Sequence, residues 1–271
     1  MVLGAILGDI IGSPYEFDTG NTTKDFKLFN DWCMFTDDTI MTIAIMKAIL
    51  DRNCEPYFFD LSKQCVKTMR ELGNKYIDVG YGNRFYDWLC TDNPKPYNSY
   101  GNGSAMRVSP VGWAYETMFE TRLAAQATSI VTHDHLEGIK GAECTASVIY
   151  LARKNYSKEA IKDYVIKEFG YDLSKTVDEL RPLHIHDESC QDSLPKALAS
   201  FFEGESYEDT VRNAVSLGGD TDTVAAIAGS MAEAMYGIPE NIQLQGMQYL
   251  PKDLLHIIVE FNNILADRKG V

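Results

Sequence analysis

The sequence lacks the cysteine spacing of a zinc module or a disulfide-bonded scaffold. Six cysteines are present and none is in a CxxC pair: Cys33, Cys54, Cys65, Cys90, Cys144 and Cys190. Thiols scattered in this way indicate buried, unpaired cysteines in a reducing compartment. We therefore expect a cytoplasmic protein.

The apolar N-terminal segment is not expected to be a secretory signal or a membrane span. The N-terminal segment, MVLGAILGDIIGSPYE, has no Lys or Arg before its apolar run and contains Asp9. It is also shorter than the roughly 20 apolar residues that span a bilayer. The apolar start is therefore interpreted as part of the folded protein, and we expect no membrane partner.

Basic residues are scarce relative to acidic ones. The chain of 271 residues has 25 Lys and Arg against 39 Asp and Glu, which gives a formal net charge of −14. A field of this sign repels nucleic acid, so we expect no nucleic-acid partner. The excess carboxylates either keep the chain soluble or collect at cation sites.

Strand patterns are rare, and the apolar spacing is helical instead. It predicts helices over residues 36–50, 58–72, 121–131, 138–153, 158–169 and 221–236, and one that runs from a Ser206–Asp209 capping box to about Gly218. Gly73 is predicted to end the second helix. Residues 74–103 are rich in Gly, Asn, Pro and Tyr and predict an ordered, substrate-facing loop. We expect one all-α domain over residues 1–271.

Three glycines in the first segment recur every four residues: Gly4, Gly8 and Gly12. Residues with this spacing line one face of a helix. Because glycine has no side chain, another backbone can approach that face closely. The pattern predicts a central helix in a tightly packed bundle.

Two acidic clusters stand at the predicted starts of hydrophobic helices, FTDDT at residues 35–39 and GGDTDT at residues 218–223. Capping explains either cluster alone, because Asp and Thr are preferred N-caps and suit the positive end of a helix. A cap needs only one such side chain, whereas the pair supplies Thr36, Asp37, Asp38, Asp220, Asp222 and Thr223. If the helix starts meet, the carboxylates repel one another unless cations neutralise them. Oxygen ligands of this kind favour Mg²⁺, Mn²⁺ or Ca²⁺ over zinc.

Two loop segments are weaker candidates on their own. Glu16 follows the glycine-faced helix, where the chain can turn into a cleft, although most loop glutamates are simply solvated. In SYGNGS, residues 99–104, glycines let the backbone approach a ligand, and amides at a helix start can bind phosphate. Asn-Gly is also common turn chemistry, and no P-loop lysine follows. Tyr100 suits either stacking on a base or burial.

The histidines include two HxH pairs, His133 with His135 and His184 with His186. No Cys or Glu at helical spacing completes a zinc site around either pair, so we do not expect zinc. A loop or surface role suits the second pair better. His133 is a candidate for a hydrogen bond to a sugar or phosphate near the acidic clusters.

In combination, these motifs resemble the ADP-ribosylglycohydrolases, the family that includes the dinitrogenase-reductase-activating glycohydrolase and the ADP-ribosyl-acceptor hydrolases. The stretches that carry the resemblance are, in order, LGDIIGSPYE, FTDDT, SYGNGSAMRVSPVG, VTHDHLEGIKGA and SLGGDTDTVAAIAGSMAEAMYG. They extend from residue 3 to about residue 237. The combination of TDDT with GGDTDT is far more specific than either cluster alone.

The resemblance implies an all-α orthogonal bundle with a binuclear Mg²⁺ or Mn²⁺ centre. The positions that match the family's metal ligands are Thr36, Asp37, Asp38, Asp220, Asp222 and Thr223. Glu16 matches an acidic residue near the metals, and we expect Glu16 or Asp37 to act as general acid/base. The positions that match contacts to ADP-ribose are Gly82, Ser99, Tyr100, Gly101, Asn102, Gly103 and His133.

The implied reaction is metal-dependent hydrolysis of the glycosidic bond at the ribose anomeric carbon, which releases ADP-ribose. The expected substrates are protein side chains ADP-ribosylated on Arg or Ser, or a small ADP-ribose adduct, and no residue selects among them. Two alternatives remain open: a catalytically silent ADP-ribose-binding relative, and a two-metal phosphohydrolase acting on a nucleotide diphosphate. Retention of Glu16 and both clusters argues against the first, and the identity of the product separates the second.

Overall fold

Helices dominate the computed structural model, which describes residues 2–17, 23–183 and 187–269. Their bounds are α1 Gly4–Gly12, α2 Asp37–Leu50, α3 Phe58–Lys75, α4 Asn83–Cys90, α5 Gly103–Met106, α6 Ser109–Ala114, α7 Met118–Ser129, α8 Leu136–Arg153, α9 Lys158–Phe169, α10 Val177–Leu180, α11 Cys190–Glu203, α12 Tyr207–Val215, α13 Thr221–Tyr236, α14 Glu240–Gly246 and α15 Lys252–Lys269. Short 3₁₀ turns cover Ser13–Tyr15, Arg181–Leu183 and Met247–Tyr249. Within the described ranges no strand forms, and an isolated bridge joins Gly101 to Ser189. The expected all-α class is confirmed.

The fully buried helix α1 lies at the centre of the fold and packs along α13. Its three glycines face α13, which confirms the predicted close approach of another backbone, and a Cβ at Gly12 would lie only 2.6 Å from the Cα of Asp222. The missing side chains therefore bring α1 into backbone contact with the start of α13. Because α2 also packs against α1, this one helix connects the two helices that begin at the acidic clusters.

A side chain of α13 caps the first turn of α1. The Glu233 carboxylate accepts hydrogen bonds from the backbone N–H of Leu3 at 3.0 Å and of Gly4 at 2.8 Å. Both donors are buried, so a partner within the protein replaces the water they would otherwise need. Glu233 thereby fixes the start of α1 on α13.

Several helix bounds agree with the prediction because their caps are recognisable in the sequence. Helices α9 and α13 have the predicted ends, and Thr36 caps α2 by accepting a hydrogen bond from the Asp38 N–H at 3.4 Å. Ser206 likewise accepts from the Asp209 N–H at 3.1 Å and starts α12. That helix ends at Val215, a few residues before the predicted end.

Two predictions between α3 and the glycine-containing loop, residues 99–103, were wrong. Helix α3 continues past Gly73, because Leu89 of α4 packs into the space that a side chain would fill at that glycine. Helix α4 itself lies within the predicted 74–103 loop. It has eight residues and buries Phe85, Trp88 and Leu89, which is an apolar stripe too short to stand out in a polar, Gly- and Pro-rich segment.

All six cysteines are unpaired, as expected. Five are buried in the main apolar core, where a thiol behaves as a small hydrophobic side chain, and Cys90 is exposed. None of the described helices has the combined length and apolar character that crossing a membrane requires.

Candidate active site

The two acidic clusters meet where α2 and α13 begin. The Thr223 hydroxyl donates a hydrogen bond to Asp38 Oδ2 at 3.0 Å, which joins the first turns of the two helices directly. In the second cluster the Thr223 N–H donates to Asp222 Oδ1 at 2.9 Å. The close packing of α1 against both helices accounts for this meeting of segments that are far apart in the sequence.

Asp9, in the middle of α1, orients the first cluster. Its buried carboxylate accepts hydrogen bonds from the Thr36 N–H at 3.0 Å, the Thr36 hydroxyl at 2.8 Å and the Thr39 N–H at 3.1 Å, and also from the Thr39 hydroxyl. These donors belong to the first turn of α2, whose positive end suits a carboxylate. Burial nevertheless raises the pKa of Asp9 to about 6.

Glu16 joins the second cluster. One carboxylate oxygen from each of Glu16, Asp220 and Asp222 lies within 4.8 Å of the others. The backbone holds Glu16 there, because the N–H of Phe17 donates to the carbonyl of Gly219 at 2.6 Å. Gly219 has a φ of 77°, a left-handed conformation that glycine adopts readily.

The site concentrates negative charge in a partly buried space. Burial and the neighbouring carboxylates raise the pKa of Asp37, Asp38 and Asp222 well above the usual range. Burial raises the pKa of Glu16 to about 7, with further contributions from Asp220 and other nearby carboxylates. In each case burial disfavours the charged form most, and the cost of charging one group beside several others adds to it.

One oxygen of the site has no hydrogen-bond partner. Asp38 Oδ1 is buried, and nothing in the described part of the chain donates to it. A divalent cation would give this oxygen a partner and would reduce the repulsion among the carboxylates. The side chains present therefore fit one or more hard cations.

A cavity of about 390 Å³ connects the acidic clusters with the glycine-containing loop. The predicted residues that line it are Glu16, Asp37, Asp38, Gly82, Ser99, Gly101, Asn102, Gly103, His133, Asp220, Asp222 and Thr223. Asn102 links the two ends, because its side-chain N–H groups donate to Asp220 Oδ2 at 2.5 Å and to Ser193 Oγ at 2.9 Å. Its backbone N–H donates to the Glu188 carbonyl at 2.8 Å, so α11 and the segment before it hold the loop in place.

Two predicted site residues do not line the cavity. The side chain of Tyr100 is exposed and packs edge-on against His135, with 5.4 Å between the ring centres. Thr36 lies behind the first cluster, where its hydroxyl donates to Asp9. His184 and His186 lie outside the described residues.

Four charged residues of this region were not anticipated: Asp9, Arg84, Arg107 and Glu188. The last three line the cavity, and Asp9 lies behind it. Asp9 and Arg107 each gave a usable signal, because each is a lone charge in an otherwise apolar segment. Arg84 and Glu188 stand among other polar residues, so their charge gives no sign in the sequence of a functional role.

Comparison with known proteins shows similarity over most of the chain. The profile of a family described as ADP-ribosylglycohydrolase matches residues 1–269. The ADP-ribosylhydrolase ARH3 of Homo sapiens is 26% identical, over 93% of this chain and 89% of that protein. The ADP-ribosyl-[dinitrogen reductase] glycohydrolase of Rhodospirillum rubrum is 25% identical over 88% and 85%, and the ADP-ribosylarginine hydrolase Tri1 of Pseudomonas putida is 24% identical over 88% and 70%. A solved structure titled as an ADP-ribosylglycohydrolase-related protein complex has a TM-score of 0.67 at 24% identity, covers 97% of this chain and 95% of its own, and supports the fold.

Proposed function

The chain belongs to the ADP-ribosylglycohydrolase family, and on this premise we propose that it hydrolyses the glycosidic bond at the ribose anomeric carbon of ADP-ribose adducts. The products are ADP-ribose and the free acceptor. The acceptor is a protein side chain, Arg or Ser, or a related small molecule. Relatives named as an ADP-ribosylarginine hydrolase and as an ADP-ribosylhydrolase support this substrate class.

The observation that carries the proposal is the convergence of both acidic clusters and Glu16 on one cavity. The direct hydrogen bond between Thr223 and Asp38, and the short separations among Glu16, Asp220 and Asp222, place carboxylates from three segments around one space. Side chains that only cap helices need not lie in the same cavity. Side chains that act together on a sugar must.

We propose two divalent cations, Mg²⁺ or Mn²⁺, held by Asp37, Asp38, Asp220, Asp222 and Thr223, and by Thr36 through a lone pair of the hydroxyl oxygen whose hydrogen is donated to Asp9. The unpartnered Asp38 Oδ1 and the crowding of carboxylates support this ligand set. When bound, such cations orient the ribose hydroxyls, stabilise developing charge and lower the pKa of a bound water. They also offset the negative charge that would otherwise repel a diphosphate.

Glu16 is proposed as the general acid/base. Its carboxyl lines the cavity and is exposed enough to exchange protons with water. The carboxylate takes a proton from the attacking water as positive charge develops on the ribose ring, and the acid form delivers a proton to the leaving group. Asp37, on the same cavity wall, is the alternative for this role.

The loop from Ser99 to Gly103 and the turn at Gly82 are proposed to hold the diphosphate and adenosine. Gly101 and Gly103 expose backbone at the cavity wall, and Asn102 fixes their position relative to Asp220. His133, which lies beside Gly101 and Gly103, and Arg107, joined to it through Thr132, give this part of the cavity a less acidic lining. Tyr100 is proposed to pack against the adenine from its exposed position beside His135.

Two broader expectations remain proposals. The matched profile extends over residues 1–269, which favours one catalytic unit, and we propose ADP-ribosylated proteins or small ADP-ribose adducts as its partners. The unpaired cysteines favour a reducing compartment, and we retain the cytoplasm as the predicted location.

The reaction is tested by incubating the purified protein with ADP-ribosylated arginine and ADP-ribosylated serine substrates, with Mg²⁺, with Mn²⁺ and with EDTA. We expect release of intact ADP-ribose that EDTA abolishes. Release of AMP or phosphate instead would contradict glycosidic cleavage. Binding of ADP-ribose without any release would indicate a catalytically silent relative.

The role of Glu16 is tested with Glu16→Gln, which keeps the shape of the side chain but cannot transfer the proton. We expect kcat to fall at least about 100-fold while ADP-ribose binding stays largely intact. Glu71→Gln, on the exposed surface of α3, is the matched control and should behave as the unchanged protein. Unchanged turnover in Glu16→Gln would assign the general acid/base to Asp37.

A further inference from the structure

A buried chain of hydrogen bonds ends at His133, on the wall of the cavity. Arg107 Nη2 donates to the Thr132 hydroxyl oxygen at 2.8 Å, and also to the Thr128 carbonyl at 3.0 Å. The Thr132 oxygen lies 2.7 Å from His133 Nδ1. Arg107, Thr132 and His133 are all buried, so water does not compete for these contacts.

The donors and acceptors in this row of hydrogen bonds fix the position of the imidazole proton. A guanidinium can only donate, so the Thr132 oxygen is the acceptor of the first hydrogen bond. The Thr132 hydroxyl hydrogen then needs an acceptor of its own, and across the described residues His133 Nδ1 is the one within reach. A Nδ1 atom that accepts this hydrogen bond carries no proton. The ring proton therefore resides on Nε2.

The charge of the surroundings keeps the ring neutral. Burial lowers the pKa of His133 well below its usual range, and the positive charges of Arg107 and Arg84 lower it further. A neutral imidazole has a single N–H group. With Nδ1 occupied as an acceptor, that single N–H is at Nε2.

The Nε2 atom faces the glycine-containing loop. A Cβ would lie 3.1 Å from Nε2 if built at Gly103 and 3.5 Å from it at Gly101, so the ring edge lies directly beneath the backbone of this loop. No acceptor from the described residues engages Nε2. The N–H group is therefore available to a ligand in the cavity.

We propose that Arg107 and Thr132 are positioning residues that hold His133 as its Nε2–H tautomer, so that the ring donates a hydrogen bond to an oxygen of the bound ADP-ribose. The identity of the ligand rests on the proposed function, whereas the tautomer rests on the hydrogen bonds alone. The acceptor that this arrangement selects is a phosphate or ribose oxygen. A ligand that presents an N–H donor at this point is excluded.

The test combines nitrogen NMR of the His133 ring with measurement of ADP-ribose affinity in the intact protein. Thr132→Val keeps the shape of the side chain and removes the hydroxyl, and Thr132→Ser restores the hydroxyl. Thr145→Val is the matched control, because among the described residues its buried hydroxyl bonds only to the Gly141 carbonyl of its own helix, at 3.0 Å.

In the unchanged protein we expect a protonated Nε2 and an unprotonated, hydrogen-bonded Nδ1. In Thr132→Val the Nδ1 signal should move to that of a nitrogen without a hydrogen bond, or to an average of both tautomers, and ADP-ribose should bind about threefold to tenfold more weakly. Thr132→Ser and Thr145→Val should retain the original signals and affinity.

A protonated Nδ1 in the unchanged protein overturns the proposal, as does a Thr132→Val variant that binds ADP-ribose with unchanged affinity. Equal weakening in Thr145→Val overturns it too, because the effect would then be one of general stability. If the unchanged protein binds no ADP-ribose at all, the proposed function fails, and the nitrogen spectrum still decides whether the tautomer is as inferred.

Discussion

At the scale of single residues, Asp9 shows how a buried charge can organise a site without lining it. Its carboxylate satisfies backbone and hydroxyl donors of Thr36 and Thr39 at the first turn of α2. That turn carries Asp37 and Asp38. Asp9 therefore sets the direction from which the first acidic cluster enters the cavity.

This role predicts that Asp9→Asn is destabilising although it changes few atoms. An amide has one acceptor oxygen and places an N–H₂ group against donors, so at least one buried donor on α2 loses its partner. We expect unfolding free energy to fall by about 2 kcal/mol or more in urea titrations, with weaker Mn²⁺ binding. Asp163→Asn, on the exposed face of α9, is the control and should have no effect. Equal stability of the two variants would contradict the role assigned to Asp9.

Some residues of the site could be predicted from the sequence and others could not. The Asp and Thr residues of both clusters were recognisable because they sit at helix starts and recur in a specific combination. Asp9 was visible only as a charge that interrupts an apolar helix, and its partners lie about thirty residues away, at Thr36 and Thr39. Such a pairing depends on tertiary packing, which local sequence pattern does not encode.

At the scale of elements, the contact between α1 and α13 does two things at once. The glycine face brings the two backbones together along the length of α1, and Glu233 caps the first turn of the same helix. The spacing of Gly4, Gly8 and Gly12 predicted the close approach but not its partner. Helix α4 was not predicted, because it is stabilised by packing against α3 and its own sequence is too short to show a helical pattern.

The cap by Glu233 predicts a pH dependence of stability. Burial raises the pKa of Glu233 from 4.5 to about 7, so between these values the folded state binds more protons than the unfolded state. Stability from this group is therefore complete below pH 4.5 and is lost as pH rises through 7, by about 3 kcal/mol in total. Glu233→Gln stays neutral and should lack this loss.

The measurement is the difference in unfolding free energy between Glu233→Gln and the unchanged protein as a function of pH. We expect the difference to shift in favour of the variant from pH 4.5 to pH 7, whatever its value at low pH, because titration of all other groups cancels. A difference that does not vary with pH would mean that Glu233 has the same pKa in both states.

At the scale of the whole molecule, the fold brings carboxylates that repel one another together at the site. The formal charge is −14, yet several carboxylates meet at the starts of α2 and α13 instead of spreading over the surface. The packing of α1 enforces this meeting. Without cations the molecule therefore folds against the repulsion among Asp38, Asp222 and their neighbours.

This balance predicts opposite effects of Asp38→Asn in the presence and absence of metal. Without metal, the amide removes one charge and so relieves the repulsion from Asp37 and Asp220, and the melting temperature should rise above that of the unchanged protein. With Mg²⁺ or Mn²⁺ at about 100 times its Kd, the unchanged protein should gain about 5 to 10 °C, since binding adds about 2.7 kcal/mol. The variant should gain much less, because it lacks a ligand oxygen.

The check is thermal unfolding of both proteins in EDTA and in each metal, with NaCl at equal ionic strength as the control for screening. Equal gains in both proteins would place the cation elsewhere and would remove the charge argument for the site.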